Sequence, residues 1–146
     1  MNKLFVSVFT CLSVGILGSF FTNPNISSWY QYLNKPSFSP PNWLFAPVWT
    51  ILYILMGISV SLIWQKKKPI KLFFIHLFLN FLWSVIFFGL RSPMFAFFEI
   101  TILWILIFTL IKNYWKINKT ASILLWPYLA WVSFASILNF AVWQLN

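Results

Sequence analysis

Five stretches of the chain are almost free of charge, approximately Leu4–Phe21, Leu44–Trp64, Ile70–Leu90, Pro93–Ile111 and Thr120–Trp143, and the breaks between them hold nearly all the Lys and Arg. A helix needs about 20 apolar residues to cross a hydrocarbon core roughly 30 Å thick. The pattern therefore predicts an all-α integral membrane bundle of five transmembrane helices, a single domain over residues 1–146. The first stretch, after Met1-Asn2-Lys3, shares its basic start and apolar core with a secretory signal peptide. No small-x-small cleavage site precedes a soluble remainder, so it is read as the first span.

The connections are short except the first, residues 22–43, which holds Pro24, Pro36, Pro40 and Pro41 among Trp29, Tyr30, Tyr32, Phe38 and Trp43. Proline fixes φ and stiffens the segment, and the aromatic rings give it apolar area to bury against the bundle or at the interface. A lid over one end of the bundle is expected.

Composition sharpens this picture. Of 146 residues, 61% are hydrophobic and only 8% charged, far from the roughly 25% charged residues of a soluble domain. A water-soluble monomer is excluded. Ten Lys and Arg face one acid, Glu99, and their distribution sets an orientation. Lys3, Lys66-Lys67-Lys68, Lys71, Lys112, Lys116 and Lys119 fall on one side of a five-span chain, leaving Lys35 and Arg91 opposite. The positive-inside rule makes the Lys-rich side cytoplasmic, with the N-terminus inside and the lid and C-terminus outside. The basic run is thereby explained as a topology signal and a contact with anionic lipid, and nucleic-acid binding loses its support. One Cys and one His exclude an intrachain disulfide and a Cys/His metal cluster; no metal site and no obligatory cofactor are expected.

Depth in the predicted spans brings polar groups together. Trp49 and Tyr53 lie in the first third of helix 2, below the lid; Asn80, Trp83 and Ser84 lie at or just beyond the middle of helix 3. Glu99, on helix 4, and Ser136 and Asn139, on helix 5, occupy the same outer half. Polar intramembrane groups face the bundle interior, so a pocket is expected there. The plainer reading is that Asn80 and Asn139 join helices, worth about 0.6–2 kcal/mol each, and the two roles are compatible. A buried Glu99 costs about 2.5–3.5 kcal/mol on insertion scales, and is expected to be protonated, hydrated through the pocket, or paired with Asn80 or Arg91. No second titratable group at its depth makes an acid/base pair.

Among ten Trp, Trp64, Trp115, Trp126 and Trp143 near helix ends fit an interfacial belt. Trp49, Trp83, Trp104 and Trp131 lie deeper, where an indole N–H needs a partner and a flat ring suits core packing or a planar ligand. Ser7, Cys11, Gly15 and Ser19 on helix 1, and Gly57 with Ser61 on helix 2, recur every four residues and permit close helix approach within a chain or between two. Cys11 reads as a packing residue, and His76 as a hydrogen-bonded helix residue rather than a haem ligand.

Three blocks complete the reading. The lid and helix 2 hold Trp29-Tyr30-x-x-Leu33-x-Lys35-Pro36-x-Phe38-x-Pro40-Pro41-Asn42-Trp43 followed by Pro47-Val48-Trp49-Thr50-x-Leu52-Tyr53; helix 3 holds Leu79-Asn80-x-x-Trp83-Ser84-x-x-Phe87-Phe88; helix 5 holds Pro127-Tyr128-x-x-Trp131-x-x-Phe134-Ala135-x-x-Leu138-Asn139. Together they resemble the TspO/MBR family of translocator proteins and tryptophan-rich sensory proteins. The resemblance implies a five-helix bundle, often a homodimer, whose pocket under the first loop binds tetrapyrroles such as protoporphyrin IX or haem and other planar apolar molecules. It implies pocket contacts at Tyr30, Pro40, Trp49, Tyr53, Asn80 and Trp83, at Ala135, and at Glu99, where many members carry an acid. With Trp43 of the lid and Asn139 these are the expected ligand contacts; no catalytic residue is assigned. The expected role is tetrapyrrole sensing, transport or disposal. The alternatives are an enzyme of light-dependent porphyrin degradation and a structural or regulatory subunit without a ligand. Phe38 stands where many members have Trp, which weakens tryptophan photochemistry there. Phe140 and Gln144 replace the Tyr and the basic residue of the helix-5 cholesterol motif, so sterol recognition lacks its motif.

Overall fold

The structure is a computed structural model that describes residues 2–146. Its helices are α1 (Lys3–Ser28), α2 (Phe45–Gln65), α3 (Lys71–Ser84), α4 (Pro93–Trp115), α5 (Lys119–Ile123) and α6 (Trp126–Leu145), with no strand among the described residues. A π-helical turn, Val85–Gly89, prolongs α3, and α5 with α6 makes one apolar span, giving five helices long and apolar enough to cross a membrane. The chain starts and restarts its helices by capping: Asn2 accepts from the Leu4 and Phe5 N–H groups, Ser92 from Phe95 ahead of Pro93, and Asn118 from Ala121. Such side chains satisfy donors that a helix start leaves free.

Three boundaries differ from the sequence reading, one of them simply by length, since α4 runs on past Ile111 to Trp115. The fifth span is interrupted at Leu124-Leu125, just before Pro127, which sits in the first turn of α6, the position proline tolerates. α1 continues through Pro24 to Ser28 instead of ending near Phe21. Pro24 removes one backbone donor, but Thr22, Asn25 and Ser28 each return a side-chain hydrogen bond to a carbonyl one turn back, at 3.2, 2.7 and 2.6 Å. The helix survives the proline, and the lid is correspondingly shorter: Trp29–Pro41, with a 3-10 turn at Tyr30–Tyr32, followed by a second at Asn42–Leu44 that leads into α2.

The outside of the bundle is as apolar as its inside: Phe5, Phe9, Phe20, Phe78 and Phe95 are exposed, while Met56, Ile63, Ile107, Tyr128 and Val132 are fully enclosed. In lipid, packing rather than hydrophobicity must then hold the helices together. The small-residue faces do this within one chain. A Cβ at Gly57 would lie 2.5 Å from the Val8 Cα, and one at Gly15 would lie 2.6 Å from the Tyr53 ring. α1 and α2 therefore touch backbone to backbone.

The two ends are built differently. At the lid end Arg91 donates to the Asn25 and Ser28 side chains, and Asn34 and Asn146 exchange hydrogen bonds at 3.0 and 2.9 Å. At the other end Lys3 reaches the Trp64 carbonyl, beside the Lys66–Lys68 turn.

Candidate functional site

Beneath the lid, α1, α2, α3, α4 and α6 enclose a cavity of about 390 Å³, inside the range of small-molecule sites. Tyr30, Trp49, Tyr53, Asn80 and Trp83 line it, and α6 adds Ala135 and Asn139. Pro40, Trp43 and Glu99 do not line it. Trp43 is 71% exposed. Glu99 is buried, and neither carboxylate oxygen has a hydrogen-bond partner. The expected pairing with Asn80 or Arg91 is not made; Asn80 bonds two tyrosines and Arg91 the end of α1.

The floor is a chain of hydrogen bonds across three helices. Tyr53 Oη of α2 donates to Asn80 Oδ1 of α3; Asn80 Nδ2 donates to Tyr128 Oη of α6 at 2.8 Å; and Tyr128 lies 2.8 Å from His76 Nε2. His76 Nδ1 lies 2.8 Å from the Phe73 carbonyl. That carbonyl can only accept, so Nδ1 carries the proton, and in a neutral ring Nε2 must accept from Tyr128. The whole chain then runs in one direction, each group donating to the next. With both nitrogens engaged, His76 is the structural residue the sequence suggested. Because this is the only histidine, ¹⁵N-histidine labelling isolates it: its NMR spectrum will show the Nδ1–H tautomer, and an Nε2–H spectrum would refute the assigned direction.

The walls are aromatic. Trp83 stacks on Phe87 with ring centroids 4.9 Å apart, and its N–H donates to Asn139 Oδ1 at 3.0 Å, while Asn139 Nδ2 donates to the Pro93 carbonyl at 2.8 Å. Asn139 thus joins three segments and fixes the plane of one indole. Trp49 lies between Tyr53 and Tyr128, at 5.6 and 6.2 Å. Above them Tyr30, 4% exposed, packs on Phe88 at 5.7 Å. Lys35 sits over the Tyr30 ring at 4.8 Å and donates to the Tyr30 carbonyl. Burial pushes the Tyr30 phenol above its ordinary range.

One deep indole that the sequence left open between core packing and a planar ligand belongs to the lining. Trp131 lines the cavity, and its buried Nε1–H has no partner. The available signal was its place four residues before Ala135, on the same face of the helix. By contrast Trp104, an equally deep indole, does not line the cavity and donates to Ser133 at 2.8 Å.

Comparison with known proteins fits this geometry. The family described as "TspO/MBR family" matches residues 7–144. The chain belongs to the TspO/MBR family. It is 46% identical to the "Tryptophan-rich protein TspO" of Chlorobaculum tepidum, covering 100% of this chain and 99% of that one. It is 44% identical to the protein of the same name from Archaeoglobus fulgidus, over 99% and 97% of the two chains. The human "Translocator protein" is 34% identical over 89% of this chain and 82% of its own. TspO/MBR membership and five apolar helices together establish a multi-pass integral membrane protein.

Proposed function

We propose that this TspO/MBR protein binds a planar tetrapyrrole, protoporphyrin IX or haem, in the lidded cavity and serves in its sensing, transport or disposal. The observation that carries the reading is the Trp131 N–H, a buried donor without a partner on an indole that lines the cavity. An unsatisfied buried donor costs about 1–3 kcal/mol, which an acceptor on a ligand offsets. Flat indoles at Trp49 and Trp83 suit a conjugated ring, and stacking contributes about 0.5–1.5 kcal/mol per pair beyond area burial. The test is a titration of detergent-solubilised protein with protoporphyrin IX, followed by tryptophan fluorescence. Saturable quenching at one porphyrin per chain is expected; quenching that rises without saturation would overturn the reading.

The orientation we infer places the N-terminus and the Lys66–Lys71 turn in the cytoplasm and the lid outside, from the uneven division of lysines. On a Cys11→Ser background, a Ser37→Cys variant will react with an impermeant thiol reagent in intact cells, and a Lys67→Cys variant only after permeabilisation. The reverse pattern would invert the assignment.

A further inference from the structure

At the end opposite the lid, the turn from α2 to α3 and the start of α1 form a second concavity, lined by Lys3, Trp64, Lys67, Lys68, Pro69 and Ile70. Three features mark it as more than a solvated turn. First, its charge has no answer within the chain: the sole acid, Glu99, is buried within the α4 span, so these ammonium groups have no carboxylate to pair with. Second, the concavity has two chemistries. Lys3, Lys67 and Lys68 supply the cations, while Trp64, Pro69 and Ile70 form an apolar wall; Lys3 Nζ also lies 5.3 Å from the Trp64 ring centre. Just inside the span from this wall, Leu4, Phe5, Phe74 and Ile75 are exposed apolar side chains.

Third, the backbone gives something up to place a lysine here. Lys67 has φ 57°, the left-handed region. Its N–H bonds the Trp64 carbonyl at 2.9 Å, and that of Lys68 the Ile63 carbonyl at 3.4 Å, the pattern that closes a helix with glycine at this position. A non-glycine residue is disfavoured there, so an observed outlier invites a functional reading.

We propose that this concavity binds the phosphate of an anionic phospholipid headgroup, with the lysines on the phosphate and the acyl chains along the exposed apolar residues of α1 and α3. The shared chemistry is a phosphate monoanion. The apolar wall and the exposed span residues continuous with it favour a lipid over free phosphate.

The test uses full-length protein reconstituted in phosphatidylcholine bilayers with spin-labelled phosphatidylglycerol or spin-labelled phosphatidylcholine, reading the motionally restricted fraction of each. Two variants remove equal charge from the same end of the bundle: Lys67→Gly/Lys68→Gln in the concavity, and Lys112→Gln/Lys116→Gln outside it. The first is expected to lower the preference for phosphatidylglycerol by about fivefold or more, the second by less than about twofold. Equal losses in both would show general surface attraction and overturn the site, as would no loss in either. Millimolar inorganic phosphate is expected to leave the preference unchanged; displacement of the lipid by it would reassign the site to free phosphate. Lys67→Gly alone, which relieves the backbone, is expected to raise the thermal midpoint while weakening the lipid preference. A variant with lowered stability and unchanged preference would contradict the proposal.

Discussion

A single methyl group added at Gly57 will destabilise the bundle severely, and the same group at Gly18 will not. The Cβ of Gly57→Ala would stand 2.5 Å from the Val8 Cα and 2.8 Å from the Val8 backbone nitrogen. Neither atom can move without shifting α1 as a body. Overpacking typically costs about 1–3 kcal/mol, occasionally more. A backbone obstacle places Gly57→Ala at or above the upper end. At Gly18 the nearest atom is the Ser84 hydroxyl at 3.3 Å, which can rotate aside, and alanine's better helix propensity offsets the remainder. Circular-dichroism melts in detergent should show a large fall in the midpoint for Gly57→Ala and little change for Gly18→Ala. Equal midpoints would mean that the α1–α2 seam is not what holds these helices together.

The fold was legible because each span is a long, nearly charge-free run with Lys or Arg in the breaks, the pattern of a membrane-crossing helix. The end of α1 was not legible. Pro24 reads as a terminator, and only the three side-chain bonds from Thr22, Asn25 and Ser28 to carbonyls reveal how the helix passes it. The location of the cavity under the lid, and the residues Trp49, Tyr53, Asn80, Trp83 and Asn139, follow from depth alone. Depth fails where partners decide. Trp83, Trp104 and Trp131 look alike in sequence, yet the first two donate to Asn139 and Ser133, and only the third, on a ring that lines the cavity, has an N–H without a partner. Glu99 lies at the right depth but outside the lining. Trp43, read as a lid contact, is largely exposed.

Trp131 also provides the prediction that separates binding from folding. Trp131→Phe keeps an aromatic ring against Phe45 and Phe134 and removes only an N–H that has no partner within the protein. Stability should therefore hold or rise slightly, while a ligand that accepts from this group loses a hydrogen bond worth about 1–3 kcal/mol in a desolvated site. That corresponds to about tenfold in affinity near 1.4 kcal/mol. The opposite pattern is expected for Trp115→Phe at the exposed helix end, which should leave binding unchanged.

The most direct test is a parallel titration of the unmodified protein, Trp131→Phe and Trp115→Phe with protoporphyrin IX, each shown to be folded by its thermal midpoint. A saturable site in the unmodified protein, weakened about tenfold by Trp131→Phe and untouched by Trp115→Phe, is the predicted result. Equal affinity in Trp131→Phe and the unmodified protein, or a loss confined to Trp115→Phe, would place the ligand outside this cavity and contradict the account.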